Sequence, residues 1–155
     1  MTTFDPLQEN TNIQELIKTT FDADLPISGD WGYRKETASI IEALPQGMPF
    51  PQLEHMLTSI RAHLEMNITQ EKAHRYGAIN ANEISREESQ NDGLIYDKVT
   101  YEVTAIKEDL FKQFIHEYKE GYGKEGFDLN EHFKRRKEAT LTREVVHYFE
   151  VSHIK

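Results

Sequence analysis

A single stretch of the sequence, from Leu94 to Glu120, changes its hydrophobic period once and restricts the fold more than any other stretch. Up to Ala105, one parity is mostly apolar or aromatic: Ile95, Val99, Tyr101, Val103 and Ala105. The other parity is polar: Lys98, Thr100, Glu102 and Thr104. A period of two, built from β-branched and aromatic residues, predicts a strand with one buried and one solvent-facing side.

From Lys107 onward the apolar residues recur at helical spacing: Leu110, Phe111, Phe114, Ile115 and Tyr118. They form one stripe of a helix, with charged residues opposite, and Gly121 is expected to end it. Before the strand, Asn91-Asp92-Gly93 favours a hairpin turn from a preceding strand predicted over Tyr76–Ser85, with the turn region spanning 87–93. A strand and a helix that share one core predict the class of fold, but they do not indicate a catalytic or binding function.

The other elements complete a mixed order. The pattern predicts a helix near 12–20 capped by Thr11, a loop over Asp22–Asp30, and a strand ending at Ile41, for which a short helix is the alternative. It then predicts a helix over 51–67 whose face extends to Ile68, a helix from Asp128 to about Glu138, and a strand over Leu141–Val151. The class is therefore α+β, with two layers in which about four mostly antiparallel strands are covered by helices. We expect residues 1–10 to be a loose N-terminal segment and residues 11–155 a single domain.

The composition of the chain argues against several classes of function. A net charge of −9 argues against nucleic-acid binding, because phosphate contacts need a positive surface. With no cysteine, the chain can form no disulfide, thiolate metal site or thiol nucleophile. No apolar run approaches the ~20 residues that span a bilayer, and no secretory signal is visible. These observations predict a cytoplasmic protein that does not act at a membrane.

No motif indicates catalysis or a cofactor. Gly121-Tyr-Gly123-Lys-Glu-Gly126 has the spelling of a dinucleotide-binding loop, but it follows a predicted helix where that loop must follow a strand. The seven histidines include no pair at ligand spacing on one helix, so we expect no metal site. Arg61 and Glu65, at i and i+4, are expected to form a solvent-exposed ion pair.

The most distinctive local composition is Gly29–Arg34, which holds the only tryptophan between two glycines and beside a tyrosine and an arginine. Such a loop can form a recognition surface, and the alternative is that Trp31 closes the edge of the core. The candidate binding residues are Trp31, Tyr33, Arg34, Arg75 and Tyr76. Arg34 and Arg75 are suited to binding an anion, because a guanidinium contacts carboxylate or phosphate in a bidentate manner.

Lys134-Arg135-Arg136-Lys137 is the one basic cluster in an acidic chain. On a helix, four successive residues spread around the axis, so the cluster is a collar and not a patch. Cations near a helix C-terminus interact favourably with the helix dipole, so one interpretation is that the cluster stabilises the helix. Contact with an anion or with RNA is the other interpretation.

Three functional hypotheses remain. The first is a small acidic binding module that engages a basic protein partner, a type of protein that includes inhibitors and toxin-neutralising immunity proteins. The second is a small enzyme or ligand-binding domain with an anion-binding pocket near the Gly29–Arg34 loop. The third is a structural subunit that forms a homodimer through an exposed strand edge or aromatic loop.

Overall fold

The structure of the protein, a computed structural model, describes residues 4–67 and 75–155. Its elements in chain order are α1 (Ile13–Phe21), β1 (Ile27–Gly29), β2 (Ser39–Ile41), α2 (Phe50–Asn67), β3 (Tyr76–Asn91), β4 (Leu94–Lys107), α3 (Glu108–Gly121), α4 (Leu129–Ala139) and β5 (Leu141–Glu150). A single turn of 3-10 helix, Lys35–Thr37, precedes β2. The predicted α+β class is confirmed. Ile68 lies outside the described residues.

The strands of the described ranges form one sheet in the order β1-β2-β5-β4-β3. Strands β2 and β5 are parallel, and the other neighbouring pairs are antiparallel. The sheet is mostly antiparallel, as predicted, but it has five strands instead of about four. The additional strand β1 lies within Asp22–Asp30, which the sequence predicted as a loop, because three residues are too few to show a period.

Helices α1 and α2 cover one face of the sheet. The alternate residues predicted to be buried in β4 are buried, apart from the half-buried Ile95, and they meet the apolar side of α2. The largest apolar side chains of this core are Trp31, Tyr101 and Phe149, and Leu53 and Leu57 of α2 are buried with them. From Leu94 to Thr104 the opposite parity of β4 is exposed or half-buried, so this part of the sheet has one dry and one wet face, and Ile106 beyond it is buried.

Two local predictions need correction. Helix α1 is capped by Asn12, whose side-chain oxygen accepts the Glu15 N–H at 3.1 Å, whereas the predicted cap, Thr11, donates its hydroxyl to the Gln8 carbonyl. Strand β3 continues to Asn91, beyond its predicted end at Ser85. The turn is short because Asp92 and Gly93, with φ of 52° and 80°, make it alone.

The hairpin formed by α3 and α4 lies at one end of the sheet and has its own aromatic cluster. The fully buried His132 ring is at its centre, in contact with the rings of Phe114, Tyr118, Phe127 and Phe133. Asp128 accepts the Glu131 N–H at 3.1 Å and caps α4 as predicted. In the described part of the chain, no helix is both long and apolar enough to span a bilayer.

Candidate functional site

The face of the sheet turned away from α1 and α2 is uncovered over much of β3, β4 and β5, and we refer to it as the open face. Its cross-strand rows are set by the register. One row is Asn82, Glu102 and Glu144, and another is Glu87, Lys98 and Tyr148. Lys98 and Glu102 are four residues apart on β4, so the two rows are about 13 Å apart.

Two carboxylates dominate the first row. Glu102 of β4 lies directly opposite Glu144 of β5, and both are exposed. Neither forms an ion pair or a side-chain hydrogen bond with any residue that the structure describes. Like charges directly opposite one another destabilise a sheet by roughly 0.2–1 kcal/mol. The pair is therefore an uncompensated negative site on an open surface.

A cleft of about 660 Å³ lies at the row of Lys98. It is lined by Tyr33, Arg34, Lys35, Glu36, Glu87, Ser89, Asn91, Lys98 and Tyr148. Arg34 is paired with Glu9 at 3.0 Å, and the Lys35 ammonium lies 5.3 Å from the centre of the Tyr96 ring. Lys98 has no ion pair within residues 4–67 and 75–155, so it is the cation of the cleft that is most available to a ligand.

Gly32 positions the loop that forms one wall of this cleft. Its carbonyl accepts the Tyr148 N–H at 2.8 Å, and its own N–H donates to the Thr37 carbonyl at 2.8 Å. A Cβ atom here would lie 2.3 Å from the His147 ring, and φ is +81°, a value that favours glycine. The glycine therefore lets the loop lie directly against β5.

The structure separates the five candidate residues named from the sequence. Tyr33 and Arg34 line the cleft, whereas Trp31 is 2% exposed and belongs to the core. Tyr76 is buried opposite Lys107, about 30 Å along β4 from Lys98. Arg75 precedes it and is exposed. Arg75 and Tyr76 therefore lie far from the cleft.

A stripe of polar residues on α2 faces the sheet and takes part in a buried network of hydrogen bonds. It consists of Glu54, Thr58, Arg61 and Glu65, each no more than 2% exposed. Their spacing of four, three and four residues places them on one side of the helix. Their burial was not predictable, because polar residues at helical spacing are typical of a solvent-facing side.

Arg61 and Glu65 were predicted to form an exposed ion pair, and that prediction is wrong. Arg61 donates to the Trp31 carbonyl at 3.2 Å and to the Val146 carbonyl at 2.9 Å. It thereby satisfies backbone carbonyls on the Gly29–Arg34 loop and on β5 that the core would otherwise leave unpaired. Glu65 binds the Tyr33 hydroxyl and, at 3.1 Å, Arg143. Burial and the Glu65 carboxylate raise the pKa of Tyr33, so Tyr33 is the donor.

His147 links α2 to β2 through two hydroxyl groups, Ser39 and Thr58, each 2.9 Å from a ring nitrogen. Burial lowers the pKa of His147, and the charge of Arg61 lowers it further, so the ring is neutral with one N–H. Because Ser39 donates to the Asp30 carbonyl at 2.6 Å, Ser39 accepts from Nε2–H. Nδ1 then accepts the Thr58 proton, for which the Glu54 carbonyl, 3.1 Å from the same hydroxyl, competes.

The Ser39–His147 pair resembles a nucleophile and its base in distance alone. Both residues are at most 1% exposed, and the serine proton is engaged by a backbone carbonyl. A substrate cannot reach the hydroxyl without opening the core. We therefore assign the pair a structural role, fixing β2 and β5 to α2.

Glu54 and Asp97 carry two fully buried carboxyl groups, and in the folded chain they lie close to the C-terminal residue, Lys155. Arg86 contacts both, at 2.8 Å and 3.2 Å, and Lys155 contacts Asp97 at 3.3 Å. Burial raises the pKa of Glu54 to about 8, with a further contribution from the neighbouring Asp97 carboxyl. Glu54 therefore holds a proton at neutral pH, and the Arg86 guanidinium neutralises Asp97.

Among the described residues, no group of three or more His, Asp or Glu side chains has an arrangement that could hold a metal ion.

This geometry defines a class of protein by its architecture, an α+β sandwich of two layers with one face of the sheet open. Comparison with models of protein families finds no match, and neither curated proteins nor solved structures are significantly similar to the chain. A functional proposal therefore depends on the surface of the molecule itself.

Proposed function

We propose that this protein is a small binding module that captures a basic protein partner through the acidic row of its open face, the row that contains Glu102 and Glu144. The observation that carries the proposal is the Glu102–Glu144 pair, two exposed carboxylates held opposite each other and not ion-paired with any described residue. A pair that costs folding free energy is expected where a cation of a partner can lie between its members.

The distribution of charge over the chain supports this choice of partner. Residues 107–140, which contain the α3–α4 hairpin, hold eight Lys or Arg and eight Asp or Glu. The rest of the chain holds ten and nineteen, and so carries the whole net charge of −9. A field of this sign accelerates encounter with a cationic partner and makes association sensitive to salt. We further propose the cytoplasm as the compartment, which suits a chain without cysteine.

The test is affinity capture from native lysate with three immobilised proteins. They are the wild type, the site variant Glu102→Gln/Glu144→Gln, and a control, Asp5→Asn/Glu15→Gln, which changes the net charge equally on another surface. We expect a basic protein to be retained by the wild type and the control, lost from the site variant, and released by high salt. Equal retention by all three would refute the site, and a retained protein without net positive charge would refute the mechanism.

The cleft supports a second candidate, the binding of a small anionic ligand. The observation in its favour is Lys98, an exposed cation without an ion pair among the described residues, beside Arg34 and Lys35. Titration with citrate, monitored by the amide signal of Lys98, tests this candidate. Saturable shifts that Lys98→Gln abolishes would support it, and the absence of a saturable shift would exclude citrate-like anions.

A further inference from the structure

The four cations of the basic cluster, Lys134–Lys137, have different surroundings in the folded chain. Arg135 is ion-paired with the Glu117 carboxylate, and the two lysines are exposed. Arg136 is half-buried instead, and its side chain forms no ion pair or hydrogen bond with any residue that the structure describes. It is therefore a cation that is partly removed from water while its N–H groups remain unused.

Two aromatic rings hold the Arg136 guanidinium in place. Its central carbon lies 5.8 Å from the centre of the Phe111 ring and 5.6 Å from that of the Phe133 ring. A guanidinium against aromatic rings keeps its N–H groups at its edge, where they can bind an anion through more than one hydrogen bond. The side chain is thereby ordered before any ligand binds, which lowers the entropic cost of binding.

Arg136 lines a pocket of about 150 Å³ where the α3–α4 hairpin meets the sheet. The other described residues that line it are Phe111 of α3, Ala78 and Asn80 of β3, Thr104, Ala105 and Ile106 of β4, and Thr140. Arg136 is the only charged residue among them. One water molecule takes about 30 Å³ of liquid volume, so the pocket has room for a group as large as phosphate.

An irregularity in β3 forms one wall of the pocket. Ala78 and Ile79 have no partner in the register between β3 and β4, and Ala78 has a φ of 51°, which is uncommon for a residue other than glycine. The Asn80 amide donates to the Ala78 carbonyl at 3.2 Å, which leaves its second N–H unused. Bulges of this kind are frequent beside functional sites, because they redirect side chains.

We propose that this pocket binds a phosphate group, with Arg136 as the charged donor and Thr104 and Asn80 as the neutral donors. The Thr104 hydroxyl has no hydrogen bond to a described residue, whereas the Thr140 hydroxyl donates to the Arg136 carbonyl at 2.7 Å. A phosphate group has more acceptor oxygens than a carboxylate, so it suits a set of donors that comes from three different elements.

The charges around the pocket indicate the source of the phosphate group. Glu108, at the start of α3, is already paired with Lys112 at 3.2 Å. Glu102 is two residues from Thr104 on the same face of β4, about 7 Å along the strand, and it lies opposite Glu144. These two carboxylates repel a free anion but attract a cation on the same ligand. A phosphorylated residue two positions from a lysine in an extended segment has both groups at this spacing.

Recognition of such a segment rests on the proposed capture of a basic partner, whereas phosphate binding in the pocket does not. The segment contacts Arg136 and the acidic row at once, so its second contact forms without a further loss of translational freedom. We expect the phosphorylated segment to bind at least about tenfold more tightly than inorganic phosphate or the same segment without phosphate.

Titration of the 15N-labelled protein in phosphate-free buffer tests the pocket. The titrants are inorganic phosphate, the peptide acetyl-Lys-Ala-phosphoserine-Ala-amide, and the same peptide with unmodified serine. We expect saturable shifts of the amide signals of Ala78, Asn80 and Thr104 with the phosphopeptide, and with inorganic phosphate at higher concentration. The absence of saturable shifts at these residues with both phosphate compounds would overturn the proposal. Tighter binding of inorganic phosphate than of the phosphopeptide would retain the pocket and assign it to a free anion.

Two pairs of variants identify the donors. Arg136→Gln should weaken the binding of both phosphate compounds at least about tenfold, and Lys137→Gln, an equal change of charge at an exposed neighbour, by no more than about twofold. Thr104→Val should weaken it at least about threefold, and Thr142→Val, opposite Thr104 on β5, should leave it unchanged. Equal losses within each pair would overturn the proposal. Far-ultraviolet circular dichroism checks folding, and the threonine pair decides if Arg136→Gln does not fold.

The variant Glu102→Gln/Glu144→Gln separates the pocket from the proposed function. It should remove the advantage of the phosphopeptide over inorganic phosphate and leave the binding of inorganic phosphate intact. An unchanged advantage would overturn the phosphorylated basic segment as the ligand, and the phosphate pocket would remain. Shifts at the acidic row with the unmodified peptide, and none at the pocket with either phosphate compound, would overturn the pocket and leave the proposed function standing.

Discussion

Glu102 and Glu144 lie directly opposite each other on adjacent strands, on a sheet face that leaves both exposed. A sheet selected for stability alone would have an opposite charge or a neutral residue at one of these positions. The cost of the pair is modest, and it can be measured separately from any binding.

We expect Glu144→Lys to raise the free energy of unfolding by about 0.5–1 kcal/mol, because it turns a repulsive cross-strand pair into an attractive one. Urea denaturation measures the change. Glu87→Lys is the matched substitution of opposite sign, since Glu87 already lies opposite Lys98 and its reversal creates a like-charge pair. If both substitutions shift stability in the same direction, cross-strand electrostatics does not control these positions.

Glu54 makes stability depend on pH. Its pKa of about 8 lies above the ordinary value, so the folded protein binds this proton more tightly than the unfolded chain. The stabilisation is complete below the ordinary glutamate pKa and is lost as pH rises through about 8. In Glu54→Gln we expect the fall in unfolding free energy between pH 5 and 9 to be smaller by a few kcal/mol.

The control for this prediction is Glu83→Gln. Glu83 also binds Arg86, at 2.6 Å, but its carboxylate is exposed to solvent. The wild-type pH dependence should survive in this variant. If it is lost in Glu83→Gln and kept in Glu54→Gln, the proton does not reside on Glu54.

The buried hydroxyl of Thr58 is expected to be essential for stability. Thr58→Val keeps the shape of the side chain but removes the donor to His147 Nδ1, leaving a buried acceptor unpaired. The free energy of unfolding should fall by about 1–3 kcal/mol. Thr142→Val, at an exposed position of β5, should change it by less than about 0.5 kcal/mol. Equal effects of the two variants would contradict the network.

Substitution of Gly32 and of Gly123 distinguishes the destabilisation caused by steric contact from that caused by backbone strain. Their φ values are +81° and +80°, but a Cβ atom would meet the His147 ring only at Gly32, whereas nothing lies within 4 Å at Gly123. We expect Gly123→Ala to cost about 1 kcal/mol and Gly32→Ala about 3 kcal/mol or more in thermal or urea unfolding. Similar costs at both positions would mean that the loop moves away from β5.

Elements with a strong period were predictable from the sequence. The alternation in β4, the apolar stripe of α2 and the cap at Asp128 each lead directly to the observed element, because burial of one side imposes a period on the sequence. Strand β1 is only three residues long, so pairing with β2 determines it and no local pattern reveals it.

The site was less predictable, for a different physical reason. Glu54, Thr58, Arg61 and Glu65 resemble a solvated helix side, and their partners are distant in sequence, as with His147 at 89 residues from Thr58. The Glu102–Glu144 pair depends on the register between β4 and β5, which the sequence does not specify. Tyr33 and Arg34 were named from the unusual composition of their loop and do line the cleft, and their role in binding stays a prediction.

The central claim is that a basic partner binds at the acidic row of the open face, and chemical-shift mapping tests it most directly. A lysine-rich peptide is titrated into the 15N-labelled protein at low salt. We predict that the largest amide shifts occur near Glu102 and Glu144, are saturable, and disappear at high salt or in Glu102→Gln/Glu144→Gln. Larger shifts around the acidic residues of α1, with the open face unaffected, would contradict the claim.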